Sequence, residues 1–241
     1  AHAVRGVARM RSWQPIDAAL RDVQWALSLA PNTAEYHLLH GVALAVAGRF
    51  DEAVRETETA VLLDPLSPGH HDFRALSLTV AGRYDEAVRE ARITRALEPG
   101  FPSPLRQEAR ALLLLGRHDE CAAMDVGPYL PLRAMCLHAA GATAEARAII
   151  DSLAAAVNAG AADLPLHPGA LAGELAEYHA WLGDVERTLH WLDRSAALSP
   201  TNQFIVTETA TYARVRADPR FRAELERIRR GIRARVERAM P

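Results

Sequence analysis

The sequence predicts an all-α fold: a right-handed superhelical solenoid of antiparallel helix pairs that ends in a capping helix. Three observations lead to this prediction. One pattern of small residues, turns and prolines recurs with a period of about 34 residues. Apolar residues make up 49% of the 241 residues, which is enough for a continuous stacked core. Near the C-terminus the repeat gives way to a single apolar stripe with helical spacing.

The recurring pattern is clearest between positions 34 and 101, where each matched residue is displaced by one full period. Small residues mark a close crossing of two helices, a glycine marks the turn, and a proline ends the second helix. The acidic pairs fall in the first turn of the second helix, at the positive end of its dipole. The matched positions are Gly41, Gly48 to Val54, Asp64 and Pro65 in the first copy, and Ala75, Gly82 to Val88, Glu98 and Pro99 in the second.

A period of this length built from two helices resembles the tetratricopeptide repeat family. The large aromatic residue that this family carries near the start of its first helix is replaced by His37 and His71. The resemblance implies a non-enzymatic scaffold that binds a protein or peptide in its concave groove, without a cofactor. No phosphate-binding loop, nucleophile elbow or paired-carboxylate motif points to catalysis.

The register extends backwards and forwards from these two copies. Residues 1–33 form an earlier repeat, although Val7 is bulky for a close crossing. Residues 34–67 and 68–101 are the two clear repeats. Residues 102–126 form a shortened repeat, because Gly127 and Pro128 arrive where its second helix would still continue.

The second half of the chain departs further from the pattern. Residues 127–158 form a divergent repeat, residues 159–168 a loop and residues 169–200 a further repeat. The predicted helices of these repeats are Tyr129–Ala139, Ala144–Val157, Leu171–Leu182 and Val185–Leu198.

Residues 201–241 are predicted to be capping helices. The first is Asn202–Arg216. The second begins with Pro219 at its first helical position, and Asp218 is its N-cap. The second helix carries an apolar stripe, which we expect to cover the open end of the last repeat. The members of the stripe are Phe221, Leu225, Ile228, Ile232 and Val236.

All 28 basic residues are arginine, and the net charge is −2. From Arg214 to Arg238 ten arginines stand against four carboxylates, for a net charge of +6. A basic helix attracts acidic proteins or nucleic acid. Only Phe221 provides an aromatic side chain after Tyr212, so we interpret the arginines as a solvated outer face and expect no nucleic-acid partner.

Cys121 and Cys136 are too few for a disulfide framework. No apolar run approaches the ~20 residues that span a bilayer. We therefore expect a cytoplasmic protein that does not associate with membranes.

Histidines and cysteines are the candidate metal ligands. His37 and His40 lie three apart on one helix, which suits a metal site, but these positions and His71 normally pack between helices. His118, Cys121, Cys136 and His138 offer four zinc ligands. Residues two apart on a helix point about 200° apart, so Cys136 and His138 cannot face one ion. We expect structural roles and no metal.

In the tetratricopeptide repeat family the second, fifth, ninth and twelfth positions of the first helix line the concave surface. The resemblance therefore implies a groove whose first wall is mostly apolar, whose second is mixed and whose third is basic. Such a groove suits a peptide with an apolar anchor and an acidic group. The groove residues are Glu35, Leu38, Val42 and Ala45, then Gly69, Asp72, Leu76 and Thr79, then Ser103, Arg106, Arg110 and Leu113.

The segment from Trp181 to Phe221 has a second resemblance, to the C-terminal ends of tetratricopeptide regions in bacterial signalling proteins. Winged-helix regulators and class III adenylate cyclases carry such regions. This resemblance gives an alternative function: the sensory or regulatory region of a larger bacterial transcription regulator or nucleotide cyclase.

Overall fold

The computed structural model describes residues 16–198 and 210–239, and every regular element in these residues is helical. This confirms the all-α prediction. In chain order the α-helices are α1 (Ile16–Leu29), α2 (Ala34–Val46), α3 (Phe50–Leu63), α4 (Pro68–Val80), α5 (Tyr84–Leu97), α6 (Ser103–Leu114), α7 (His118–Ala123), α8 (Leu130–Ala139), α9 (Thr143–Ala159), α10 (Pro168–Leu182), α11 (Val185–Leu198), α12 (Ala213–Arg216) and α13 (Pro219–Ala239).

The helices divide between two compact units. Residues 16–108 lie in the first unit, together with 233–239, and residues 109–232 form the second. The boundary falls within α6, so the N-terminal part of that helix belongs to the first unit and its C-terminal part to the second.

The first unit is a series of paired helices. α2 packs on α3 and α4 packs on α5, while α1 lies against α2, and α3 against α4. Gly48 and Gly82, which end α2 and α4, have φ values of 76° and 78°, the left-handed conformation that the sequence predicted. The first helix of the predicted repeat 1–33 falls mostly in residues 1–15, outside the described residues.

Small side chains allow the paired helices to cross closely. A Cβ atom added to Gly41 would lie 2.8 Å from Cγ2 of Thr57 on the neighbouring helix. Ala53, Ala75 and Ala87 are fully buried at the equivalent contacts. The crossing positions assigned from the sequence are therefore the positions at which a larger side chain does not fit.

The second unit contains the shortened and divergent repeats. α7 has only six residues, as the Gly127-Pro128 sequence predicted. α10 begins at Pro168 rather than at Leu171, because His167 caps it by accepting a hydrogen bond from the backbone N–H of Gly169.

The C-terminal segment differs in part from its prediction. In place of one continuous helix up to Arg216, the chain forms a 3₁₀ turn at Ala210–Tyr212 and then the short α12. Residues 202–209 of the predicted helix lie outside the described part. α13 begins at Pro219, and the Asp218 carboxylate accepts the Arg220 backbone N–H at 2.8 Å.

The apolar stripe of α13 is buried as predicted, as far as its side chains are described. Phe221, Leu225 and Ile228 are buried, and the Phe221 ring lies 5.9 Å from the ring of Tyr212. The side chains of Ile232 and Val236 are outside the described set. None of the described helices combines the length and the apolar content that a membrane span requires.

Candidate peptide-binding surface

The first wall of the predicted groove lies on α2. Glu35 is exposed, Val42 is half-buried, and Leu38 and Ala45 are buried. The Glu35 carboxylate lies 3.9 Å from Nε2 of His70, whose side chain is itself buried on α4. Val42 is therefore the apolar side chain of this wall that remains accessible.

The second wall lies on α4, which is adjacent to α2. Leu76 is half-buried, whereas Asp72 is buried and Thr79 is 1% exposed. Oδ2 of Asp72 accepts a hydrogen bond of 2.8 Å from the Ser103 hydroxyl at the start of α6. Burial raises the pKa of Asp72, while the Ser103 hydrogen bond and the Arg106 charge work in the opposite direction.

The third wall lies on α6, and its two arginines have different environments. Arg106 is half-buried and close enough to Asp72 for their charges to interact. Arg110 is 1% exposed, because the second unit encloses it. The prediction that Arg110 lines an open groove is therefore corrected: its guanidinium has no surface to offer to a peptide.

Arg110 forms a buried ion pair with Glu177 of α10. Nε and Nη2 of the arginine donate to the two carboxylate oxygens at 2.8 and 2.7 Å. The hydroxyl of Thr211 donates to the same carboxylate at 2.9 Å. Burial works against the charged guanidinium, but the Glu177 carboxylate outweighs it and raises the pKa of Arg110.

Glu177 and Thr211 are important residues that sequence analysis missed. A glutamate on an apolar helix and a threonine near the C-terminal arginines carry no pattern that would pair them with Arg110. Burial also raises the pKa of the neighbouring Tyr212 hydroxyl, with the Glu177 charge acting in the same direction. This cluster ties α6, α10 and the 3₁₀ turn together within the second unit.

His37 and His71, which stand at the position of the expected aromatic residue, make polar contacts between helices. Nδ1 of His37 lies 2.7 Å from a Glu56 carboxylate oxygen, and Nε2 lies 2.7 Å from the Pro31 carbonyl. His71 repeats both contacts one period later, with Glu90 at 2.6 Å and the Pro65 carbonyl at 3.0 Å. Each histidine thus joins the two helices of its repeat to the turn before it.

A second histidine of α2, His40, lies beside the Glu56 carboxylate. Nδ1 of His40 lies 3.2 Å from its other carboxylate oxygen. The pKa of Glu56 is lowered, chiefly by His40, with burial opposing and His37 adding to the effect. The recurrence of Glu56 as Glu90 one period later is the signal that could have identified these partners from the sequence.

Cys121 and Cys136 are joined by a disulfide between α7 and α8. Their Cα atoms are 5.3 Å apart, an ordinary separation for such a bond. The expectation that two cysteines would not form a disulfide framework therefore missed this single bond. The short α7 brings the two residues together, because the chain reverses at Gly127 and α8 packs back on α7.

The candidate zinc ligands are not assembled into a site. His138 faces Tyr178, whose hydroxyl lies 3.1 Å from Nδ1, and both cysteines are engaged in the disulfide. Within the described ranges, no three histidine, cysteine or acidic side chains converge in a manner that could hold a metal ion.

Two segments of the chain, residues 34–59 and 102–124, match the family model described as tetratricopeptide repeat. No curated protein sequence matches the chain.

Several solved structures, two of them of tetratricopeptide repeat proteins, share the fold at low sequence identity. A protein of this family from Parabacteroides merdae aligns with a TM-score of 0.62 at 14% identity, over 88% of this chain and 83% of its own. TTC0263 from Thermus thermophilus aligns with a TM-score of 0.52 at 15% identity, over 89% of this chain and 97% of its own. PilF of Pseudomonas aeruginosa aligns with a TM-score of 0.53 at 14% identity, over 90% of this chain and 96% of its own. Two segments of the chain thus match the tetratricopeptide repeat model, and these solved structures show the same fold.

Proposed function

We propose that this protein is a non-enzymatic scaffold that binds a peptide segment of a partner protein on the surface formed by α2, α4 and the N-terminal part of α6. The observation that carries the proposal is the set of accessible side chains at the family's groove positions. Val42 and Leu76 are half-buried apolar side chains, and the half-buried Arg106 provides a positive charge. Its accessible members are Glu35, Val42, Leu76 and Arg106, whereas the predicted groove residues Leu38 and Asp72 are buried.

The chemistry of this surface defines the peptide. Val42 and Leu76 would contact an apolar anchor, because covering their exposed aliphatic surface removes it from water and thereby lowers the free energy of the complex. Arg106 would attract a carboxylate near that anchor. Asp72 would act through Arg106 and Ser103 rather than by direct contact, since its own side chain is 7% exposed.

A capture experiment with paired variants tests this proposal. The double variant Val42→Gln and Leu76→Gln should lose a protein that the wild type retains from lysate of the source cells. The control is Leu198→Gln, which places the same polar group on an exposed leucine of the second unit. Equal retention by all three proteins would contradict the proposed surface.

The second candidate is the sensory or regulatory region of a larger transcription regulator or nucleotide cyclase. It is favoured by the resemblance of residues Trp181 to Phe221 to such regions. The reading frame around this sequence tests it: a winged-helix or cyclase domain encoded beside Ala1 or Pro241 would support it. A cytoplasmic location is part of both proposals, and measurement of the oxidation state of Cys121 and Cys136 in cells tests that location, because disulfides are rare in the cytosol.

A further inference from the structure

An open cavity lies at the C-terminal end of α5. Its volume is about 280 Å³, and it is lined by Arg92, Arg95, Ala96 and Pro99. All four residues belong to the first unit. The lining thus combines two cations with two small apolar side chains, which suits a molecule that has both an anionic and an organic part.

A buried carboxylate holds both arginines of this cavity in place. Nε of Arg92 donates a hydrogen bond to Oε1 of Glu108 at 2.6 Å, and Nη1 of Arg95 donates to Oε2 at 2.6 Å. The Glu108 side chain is only 4% exposed, so its charge requires such partners. The two guanidinium groups are therefore oriented before any ligand arrives, which reduces the conformational entropy that binding costs.

The Glu108 carboxylate neutralises only one of the two positive charges. The arginine side chains remain 51% and 44% exposed, so they are accessible from solvent. A guanidinium carries five N–H donors, and the hydrogen bond that Arg95 gives to Glu108 uses one of them. The exposed Arg89 and Glu98 on the same part of the chain add one charge of each sign. The cavity therefore has a net positive charge.

We propose that this cavity binds a small organic molecule that carries a phosphate monoester. The phosphate would accept charge-assisted hydrogen bonds from both Arg92 and Arg95. A volume of about 280 Å³ is the share of about nine water molecules in the liquid, which is more than a phosphate ion alone requires. The organic part of the ligand would cover Ala96 and Pro99.

The placement of the arginines favours a phosphate over a carboxylate. Arg92 and Arg95 lie three residues apart on α5, so their side chains share one face of the helix. A carboxylate has two oxygens in one plane and pairs best with the fork of a single guanidinium. A phosphate monoester has three terminal acceptor oxygens that point in different directions, so it can contact two guanidinium groups at once.

This cavity is separate from the surface assigned to peptide binding under the proposed function. Its lining residues all lie on α5 or in the turn that follows it. The accessible residues of the peptide surface lie on α2, α4 and α6 instead. Because the two sets share no residue, variants of one set test one proposal without altering the side chains of the other.

Phosphorus NMR of butyl phosphate tests the cavity. Wild-type protein should broaden the signal saturably in a chloride buffer of constant ionic strength, which keeps general charge screening fixed. In competition, inorganic phosphate should bind at least about threefold more weakly, because it leaves Ala96 and Pro99 uncovered. Pentanoate, which carries the same butyl chain on a carboxylate, should also bind at least about threefold more weakly.

Three variants locate the binding of butyl phosphate. Arg95→Gln leaves Arg92 to pair with Glu108 and should weaken binding at least about threefold. Ala96→Leu fills the cavity while both arginines remain, and it should weaken binding at least as much. Arg89→Gln is the matched control, because it removes the same charge from the same helix at a residue that does not line the cavity. Its affinity should stay within about twofold of the wild type.

Four results would overturn the proposal. Absence of saturable binding by the wild type, an equal loss in Arg89→Gln and Arg95→Gln, or an unaltered affinity of Ala96→Leu would each reject it. Pentanoate that binds as tightly as butyl phosphate would also reject it, because the site would then be one for carboxylates. Circular dichroism melts establish which variants are folded. If Arg95→Gln unfolds, the result for Ala96→Leu decides.

Discussion

Arg110 and Glu177 form a two-point ion pair inside the second unit, with side chains that are 1% and 3% exposed. The pair is held further by Thr211, whose hydroxyl donates to the same carboxylate. An arginine that sequence reasoning assigned to ligand binding is thus a structural element of the fold.

Removal of one member of this pair should be strongly destabilising. Arg110→Met or Glu177→Leu leaves an uncompensated buried charge, which costs about 3–5 kcal/mol. The double variant should be more stable than either single variant, because it removes both charges together. Urea unfolding measures all three, and single variants within about 1 kcal/mol of the wild type would contradict the buried pair.

The Glu56 carboxylate should make stability depend on acidic pH. Its pKa is lowered from the ordinary value of 4.5 by His40 and His37. A carboxylate with a lowered folded-state pKa stabilises the fold above its unfolded pKa, and this contribution is lost as the pH falls below 4.5 and through the folded-state value.

Glu56→Gln should therefore flatten the fall in urea midpoint between pH 7 and about pH 3. The exposed Glu145→Gln is the matched control, which should retain the pH dependence of the wild type. An identical fall in Glu56→Gln and wild type would show that the histidine contacts do not hold this carboxylate.

The disulfide between Cys121 and Cys136 should stabilise the second unit. It closes a loop with a sequence separation of 15, for which restriction of the unfolded chain contributes about 3 kcal/mol. Reductant should lower the melting temperature of the wild type and leave the double variant Cys121→Ala, Cys136→Ala unaffected. Alkylation of both thiols in denaturant without prior reduction would contradict the bond.

Ala87→Leu should destabilise the first unit by about 1–3 kcal/mol, because it forces volume into a fully packed crossing. Ala87 is 0% exposed. Ala96→Leu makes the same change at an exposed position of α5 and is the control. Similar melting temperatures for the two variants would indicate that the crossing is not tightly packed.

The buried stripe of α13 should be required for the second unit. Phe221→Ala should cost about 3–5 kcal/mol, since it removes a buried ring beside Tyr212. Truncation after Arg216 should cause aggregation or partial melting by exposing the same surface. Arg222→Glu with Arg230→Glu should change stability little, as both side chains are exposed. A truncated protein that stays soluble and equally stable would refute the capping role.

The features predicted well from the sequence are those that recur. Gly41 recurs as Ala75 and Ala53 recurs as Ala87 one period later, so one pattern defines the crossings, the turns and the helix pairs. The shortened α7 was also predictable, because Gly127 and Pro128 are local signals that end a helix regardless of its neighbours.

The features that were missed depend on residues far apart in the chain. Glu177 lies 67 residues from Arg110, and no periodicity links them. The groove assignment for Arg110 followed the register of α6, whereas its environment is determined by the packing of α10 and the 3₁₀ turn. The disulfide between Cys121 and Cys136 was missed for a related reason, because the chain reversal that brings the two residues together occurs where the repeat pattern breaks.

The contacts made by His37 and His71 are also of a kind that a duplicated repeat would retain. Each histidine contacts a glutamate within its own repeat and the proline carbonyl that ends the preceding one, and both contacts recur in the next repeat. A tandem duplication of residues 34–67 would therefore give each new copy its own histidine and glutamate, and the Pro65 carbonyl of the preceding copy would lie at the position that the new histidine contacts. These two contacts would thus be kept at the new junction if the first unit lengthened by a whole repeat.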